Sequence, residues 1–259
     1  MSDALVTWIS YFALIFCRMA ALFTLSPVLG RRNLPNQARI LLSALLALIV
    51  VNLRPMPDGF MVNSLFGYLL LVVNEILVGL VIGYITTVFF SLTFVAGQVI
   101  DMQTGFGMVQ VFDVQANVQV PIYGSILNMM MLLAFVISDG HVALVSLMFS
   151  TYDYLPVGGG VLTGEVVEVL LKSFFTAFSM AINVAIPVIA AILLAEVGMG
   201  IIVRTAPQMN VFVVGVPIKI IIGFLIIYMI VPTFMNFTGV IFEEMFTAID
   251  AALAGFAVA

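Results

Sequence analysis

From Leu65 to Ile100 the chain carries one charged residue, Glu75. Similar stretches run from about Ala4 to Leu29, and through most of 165–254. Of the 259 residues 64% are hydrophobic and 8% charged, and the mean hydropathy is +1.28. Soluble domains sit near 45–50% apolar and about 25% charged. A chain this poor in polar groups cannot cover a water-facing surface, so a soluble globular enzyme is excluded, and disorder with it. An all-α, helical membrane-associated protein is the class that remains.

Charge and cysteine usage narrow the partners only slightly. Eight Lys and Arg against thirteen Asp and Glu leave a formal charge of −5, with no basic patch for nucleic acid. Cys17 is the only cysteine and reads as a small core residue. The N-terminus lacks the cationic region of a secretory signal, and Arg18 interrupts the first apolar run, which reads as a retained helix.

About six hydrophobic segments are expected, arranged as long helical hairpins. After the first, a cationic loop holds Arg31, Arg32 and Arg39. The second, Ile40 to Leu53, is short for a span of roughly 20 residues. The third covers Leu65 to about Ile100, and a Gly-, Gln- and Val-containing loop follows at about 101–121. The fourth is Ile122 to Ile137, leading into an acidic, Gly-rich stretch through Asp139, His141, Asp153 and Gly158–Gly160. Periodicity then holds from Glu165 to about Val203 and from Val211 to about Ala254, interrupted only by Pro187, Pro217 and Pro232. A helix over 165–203 would be roughly 58 Å long, about twice the hydrocarbon core. Helices of that length suit a protein whose greasy faces are covered partly by other subunits. The cations place the 31–39 loop and the 196–210 turn on the cytoplasmic side, with 139–168 and both termini outside.

No enzyme signature accompanies these segments. A single histidine, His141, forbids a two-histidine zinc motif. Gly124-Ser125 lacks the following glycine of a nucleophile elbow, and there is no phosphate-binding glycine loop. No metal or cofactor is expected. Charges inside apolar stretches are expensive in lipid and face protein or water: Arg18, Glu75, Lys172, Glu196 and Lys219. They read as intersubunit ion pairs, or for Arg18 and Lys172 as side chains snorkelling toward an interface; in a proton- or solute-coupled transporter, the alternative, Arg18, Glu75, Lys172 and Glu196 would be the coupling charges.

Two segments stand out. In the first, Gly105, Phe106, Gly107, Met108, Val109, Gln110, Val111 and Phe112 join two apolar helices. Glycine permits sharp turns and close approach, and methionine fills irregular gaps. These residue types serve equally as a movable constriction or as an ordinary packing loop. The second runs from Arg204 to Lys219. Pro207 breaks the incoming helix, Gln208 and Asn210 can satisfy free backbone groups, and Gly215 and Pro217 soften the next helix. As residue types this is a helix-hairpin turn.

The run Arg-x-Ala-Pro-Gln-x-Asn-x-Phe-x-x-Gly-x-Pro-x-Lys at 204–219 resembles the FliR/SctT family of type III secretion export-gate subunits. The glycine-rich loop ending in Phe112-Asp113, the Asp139-Gly140-His141 turn and the Arg18…Pro27 pattern add to the resemblance, which covers essentially the whole chain and is closer to the flagellar branch. The resemblance implies a FliP-like part over 1–160, carrying a plug loop, fused to a FliQ-like helical hairpin over 161–259. It implies assembly with FliP-type and FliQ-type subunits, with an FlhB-type subunit at the cytoplasmic mouth. The site implied is the bacterial inner membrane, at the flagellar basal body export apparatus. Unfolded flagellar proteins would be the transient substrates, and Met108 to Phe112 the residues that fill the pore. Relatives carry Phe-Asp-Pro where Val114 follows Phe112-Asp113 here.

Overall fold

The computed structural model describes residues 2–26, 35–54, 56, 64–106, 121–205 and 211–258. These residues form α1 (Ser2–Leu25), α2 (Asn36–Leu53), α3 (Leu65–Thr104), α4 (Ile122–Ile137), α5 (Gly140–Tyr154), α6 (Gly164–Thr205) and α7 (Val211–Gly255). Two short strands, β1 (Gly160–Val161) and β2 (Ala257–Val258), pair antiparallel. In an apolar medium each backbone N–H and C=O must be satisfied within its own segment, which is why apolar runs of this length become helices. Among the described residues five helices are long and apolar enough to cross a membrane, or six if α4 and α5 are taken together.

The expected segments are present, with two differences. The second helix begins at Asn36, so it has 18 residues and spans about 27 Å, close to the hydrocarbon thickness. The stretch after Ile137, expected as an irregular acidic connection, holds α5. Its turn signals, Asp139-Gly140, mark only a break: Asp139 adopts φ 54 at the N-cap, a conformation that Asp tolerates better than most side chains. Pro187, Pro217 and Pro232 lie inside continuous helices, as neighbouring helices in a membrane allow.

The chain divides into two compact units interleaved in sequence: Met1–Phe89 with Asp139–Phe174 and Glu243–Ala259, and Phe90–Ser138 with Phe175–Phe242. In the first unit, α1 and α3 run parallel. Tyr68 donates to the Ser10 carbonyl at 3.1 Å, and Thr87 reaches the Leu25 carbonyl farther along both helices. Parallel neighbours need a returning segment between them, and α2 supplies it. Gly79 and Gly83, one turn apart on α3, permit the close approach: a Cβ at Gly79 would strike the Arg18 carbonyl, and one at Gly83 would lie 2.7 Å from the Leu25 Cβ. Small residues four apart are the usual way helices approach in a membrane.

Arg18 and Glu75 sit within this contact, 2% and 1% exposed. The guanidinium donates through Nε to Glu75 Oε2 at 2.6 Å and through Nη2 to Oε1 at 2.9 Å. Its Nη1 donates to Thr151 Oγ1 at 3.3 Å and to the Leu155 carbonyl at 3.2 Å. The Gly158 N–H donates to Glu75 Oε1 at 2.6 Å, and the guanidinium lies 4.2 Å from the Tyr152 ring centroid. One ion pair thus ties α1, α3, α5 and the turn that leads into β1. Gly158 holds φ 82 there, where a side chain would be strained.

Removing one partner leaves an unpaired buried charge, worth about 3–5 kcal/mol, whereas an apolar pair of matching volume is close to neutral. Arg18→Met or Glu75→Leu alone is therefore expected to collapse the yield of monodisperse protein in size-exclusion chromatography. The double variant should recover most of it. A double variant no better than either single one would show that the pair contributes through something other than charge balance.

Candidate functional site

The second unit gathers the two segments singled out in the sequence. α3 ends at Thr104, and Gly105 takes φ 93 with its N–H donating to the Asp101 carbonyl at 3.2 Å. That positive φ turns the chain out of the helix, the role glycine plays at a helix end. Phe106 then lays its ring against Tyr123 on α4 and Phe224 on α7, with centroids 5.9 and 6.1 Å away. Tyr123 and Phe224 lie 5.0 Å apart. Gly105 faces Val216, where an added Cβ would lie 3.6 Å from Cγ1. The glycine-rich segment therefore starts beside the 204–219 segment.

A cavity of about 570 Å³ is bordered by Gln103 at the end of α3, Gly105 just after it, Glu196 and Val203 from α6, and Gly215 and Lys219 from α7. Lys219 pairs with Glu196 across the α6–α7 hairpin. Arg204 is exposed in the last turn of α6, where a cation complements the negative end of the helix dipole. Gly215 is buried and Pro217 exposed. Gly107, Met108, Val109, Gln110, Val111 and Phe112 lie outside the described residues, as do Pro207, Gln208 and Asn210. So do Pro27, Arg31, Arg32 and Asp113.

Of the charges expected to meet partners, Arg18 and Glu75 are instead enclosed in the chain and bonded to each other, and Glu196 has Lys219. Lys172 is exposed on α6. No group of three metal-ligating side chains occurs among the described residues.

Four further residues around these segments carry no signal in the sequence. Asp101 reads there as the first residue of the loop, yet its carboxylate accepts from the backbone of Ile122 at 2.7 Å and Tyr123 at 3.2 Å. Gly97 and Gly124 bring α3 and α4 into backbone contact, since a Cβ at Gly97 would overlap the Gly124 backbone. Gly223 leaves room for Tyr123, whose hydroxyl donates to the Ile220 carbonyl at 3.4 Å.

The long apolar helices define a polytopic membrane protein. The chain matches the family described as "Bacterial export proteins, family 1" over residues 9–245 and belongs to it. It is similar to the flagellar biosynthetic protein FliR of Bacillus subtilis (strain 168), 33% identical over 219 residues, covering 83% of this chain and 84% of that protein. The Escherichia coli (strain K12) protein of the same name is 28% identical over 245 residues, covering 95% and 93%. That of Aquifex aeolicus (strain VF5) is 27% identical over 251 residues, covering 96% and 93%.

The glycine contacts make a sharp contrast testable. Gly97→Ala must push the α3 and α4 backbones apart, a strain of about 1–3 kcal/mol. Gly198→Ala, where nothing lies within 4 Å, should gain up to about 1 kcal/mol of helix propensity. Thermal unfolding of the detergent-purified protein should separate the two in sign. Equal midpoints would mean that α3 and α4 are not packed backbone to backbone.

Proposed function

We propose that this chain is a membrane subunit of a flagellar type III export gate. In this reading it forms, with FliP-type and FliQ-type subunits in the bacterial inner membrane, the channel through which unfolded flagellar proteins leave the cytoplasm. An FlhB-type subunit meets it on the cytoplasmic side. Family membership and the FliR relatives support the flagellar assignment. The observation that carries the subunit role is the uncovered face of α6. Large apolar side chains are exposed from Val167 to Ile202, among them Phe175 at 65% and Leu194 at 74%.

That face runs about 53 Å along the helix axis, against roughly 30 Å of hydrocarbon. To keep all of it in lipid, the helix would have to tilt by about 55°, beyond the range of about 0–40° that membrane helices adopt. A bilayer alone cannot cover it, so protein must. In this reading 1–160 is the FliP-like part and 161–259 the FliQ-like hairpin, of which α6 and α7 make up nearly all. The transporter alternative needs accessible coupling charges, and two of its four, Arg18 and Glu75, are sealed against each other.

Within the gate, the segment from Gly105 to Phe112 is assigned as the plug. A closed channel has to stop ions and water yet yield to an unfolded chain. Apolar side chains such as Met108, Val109, Val111 and Phe112 block conduction by dewetting, and flanking glycines let a segment change course at low backbone cost. Gly105 beside Val216 puts the start of this segment next to the 204–219 turn, whose Arg204, Gln208 and Asn210 are assigned to partner contact. Deleting Met108 to Phe112 should leave the purified assembly intact and raise the ion conductance of membranes that contain it. A tight membrane around a fully assembled complex would remove the plug assignment.

A further inference from the structure

We infer that the groove between the middles of α6 and α7, at Asn183, Pro187 and Thr233, docks a membrane helix of a different subunit that brings a hydrogen-bonding side chain (Ser, Thr, Asn or Gln) to that level. The inference rests on the subunit reading above and deepens it, by locating one partner contact and stating what the partner must present. The groove has a volume of about 170 Å³ and lies wholly within the second unit. A cavity of roughly 150 Å³ holds a benzene-sized group, so the space suits one side chain of a packing helix, as a knob enters a hole.

The polar groups of the groove decide between occupants. Proline has no N–H, so Pro187 removes the helical donor of the carbonyl four residues earlier, that of Asn183. Asn183 and Pro187 both line the groove, and Thr233 lines it from α7. The Asn183 amide and the Thr233 hydroxyl are exposed there. A polar group without a partner is costly in an apolar medium, and proline is tolerated inside such helices because a neighbouring helix or a hydroxyl meets the freed backbone group. Pro187 and Thr233 lie near the middles of α6 and α7, about 27 Å or more of helix from either end. The rim is apolar: Ile186 and Met229, next to Pro187 and Ile230 in sequence, are 51% and 65% exposed. An acyl chain matches that rim but has no donor for the carbonyl and no partner for the amide. A helix carrying one hydroxyl or amide among apolar side chains matches both.

Two measurements on the purified hetero-oligomer test this. A photocrosslinking benzophenone residue in place of Phe237, which lines the groove, reports what sits there. Irradiation should join it to a helix of another subunit, within a turn of a Ser, Thr, Asn or Gln, as located by peptide mass spectrometry. Dissociation in detergent then reports the hydrogen bonds. Asn183→Leu and Thr233→Val should each raise the ratio of dissociated to assembled chain roughly threefold, the effect of one interhelical hydrogen bond in a membrane. Both positions are exposed, so the hairpin itself keeps its packing. Asn183→Gln retains the amide and should stay near the parent.

An assembled complex in which the probe reaches only lipid, detergent or a second copy of this chain would overturn the inference and leave the subunit reading standing. Crosslinking to another subunit with unchanged dissociation of both Asn183→Leu and Thr233→Val would overturn the hydrogen-bonding occupant. If the benzophenone variant does not assemble, those two dissociation ratios decide. A chain that purifies without partners would overturn both the inference and the subunit reading.

Discussion

The ion pair between Arg18 and Glu75 is the contact on which the first unit depends. Two charges have been taken out of water into the seam between parallel helices, a step that is unfavourable unless every proton and lone pair finds a partner. Here the guanidinium meets a carboxylate, a hydroxyl, a carbonyl and an aromatic face, and the carboxylate also takes the Gly158 N–H. Satisfying that set dictates the register of α1 on α3, the place of α5, and the turn into β1. Gly79 and Gly83 are required because the helices must come this close for the side chains to meet.

The second unit follows a different rule. Asp101 makes its polar contacts at helix ends, Glu196 and Lys219 pair between α6 and α7, and the helices present long apolar faces. The scarcity of charge that makes the chain insoluble in water also makes it incomplete in lipid, because α6 exposes more apolar length than a bilayer can absorb. Membership of the export family and this exposed apolar length both support the proposed role, a subunit whose helices are finished by its neighbours. The end of α3 and the start of α4 are joined from within the chain, through Asp101, Tyr123, Phe106 and Phe224.

Much of this was legible in the residues. The bounds of α3, α4, α6 and α7 fall within a few positions of the apolar runs, because an apolar run in a membrane has only one way to satisfy its backbone. α6 ends at Thr205 and α7 begins at Val211, on either side of the expected pause at 204–210. What could not be read was pairing across sequence distance. Arg18 and Glu75 were visible as charges in apolar runs, but nothing in their spacing revealed that each was the other's partner. α5 was hidden because Asp139-Gly140 looks like the start of a loop, and polar residues such as Ser150, Thr151 and Asp153 dilute its pattern. Asp101 was missed for the same reason: a cap borrowed from another helix leaves no local signature, unlike a Ser or Asp at the N-cap itself. The β1–β2 pair joins Gly160 to Val258, too short and too distant to register as a pattern.

Intact-complex mass spectrometry of the affinity-tagged chain, co-expressed with its neighbouring membrane-protein genes, measures most directly whether this protein is one part of a larger channel. A discrete hetero-oligomer holding one copy of this chain and several small helical partners is the expected result. A stable monomer or homodimer, purified without partners and binding a small solute, would contradict it.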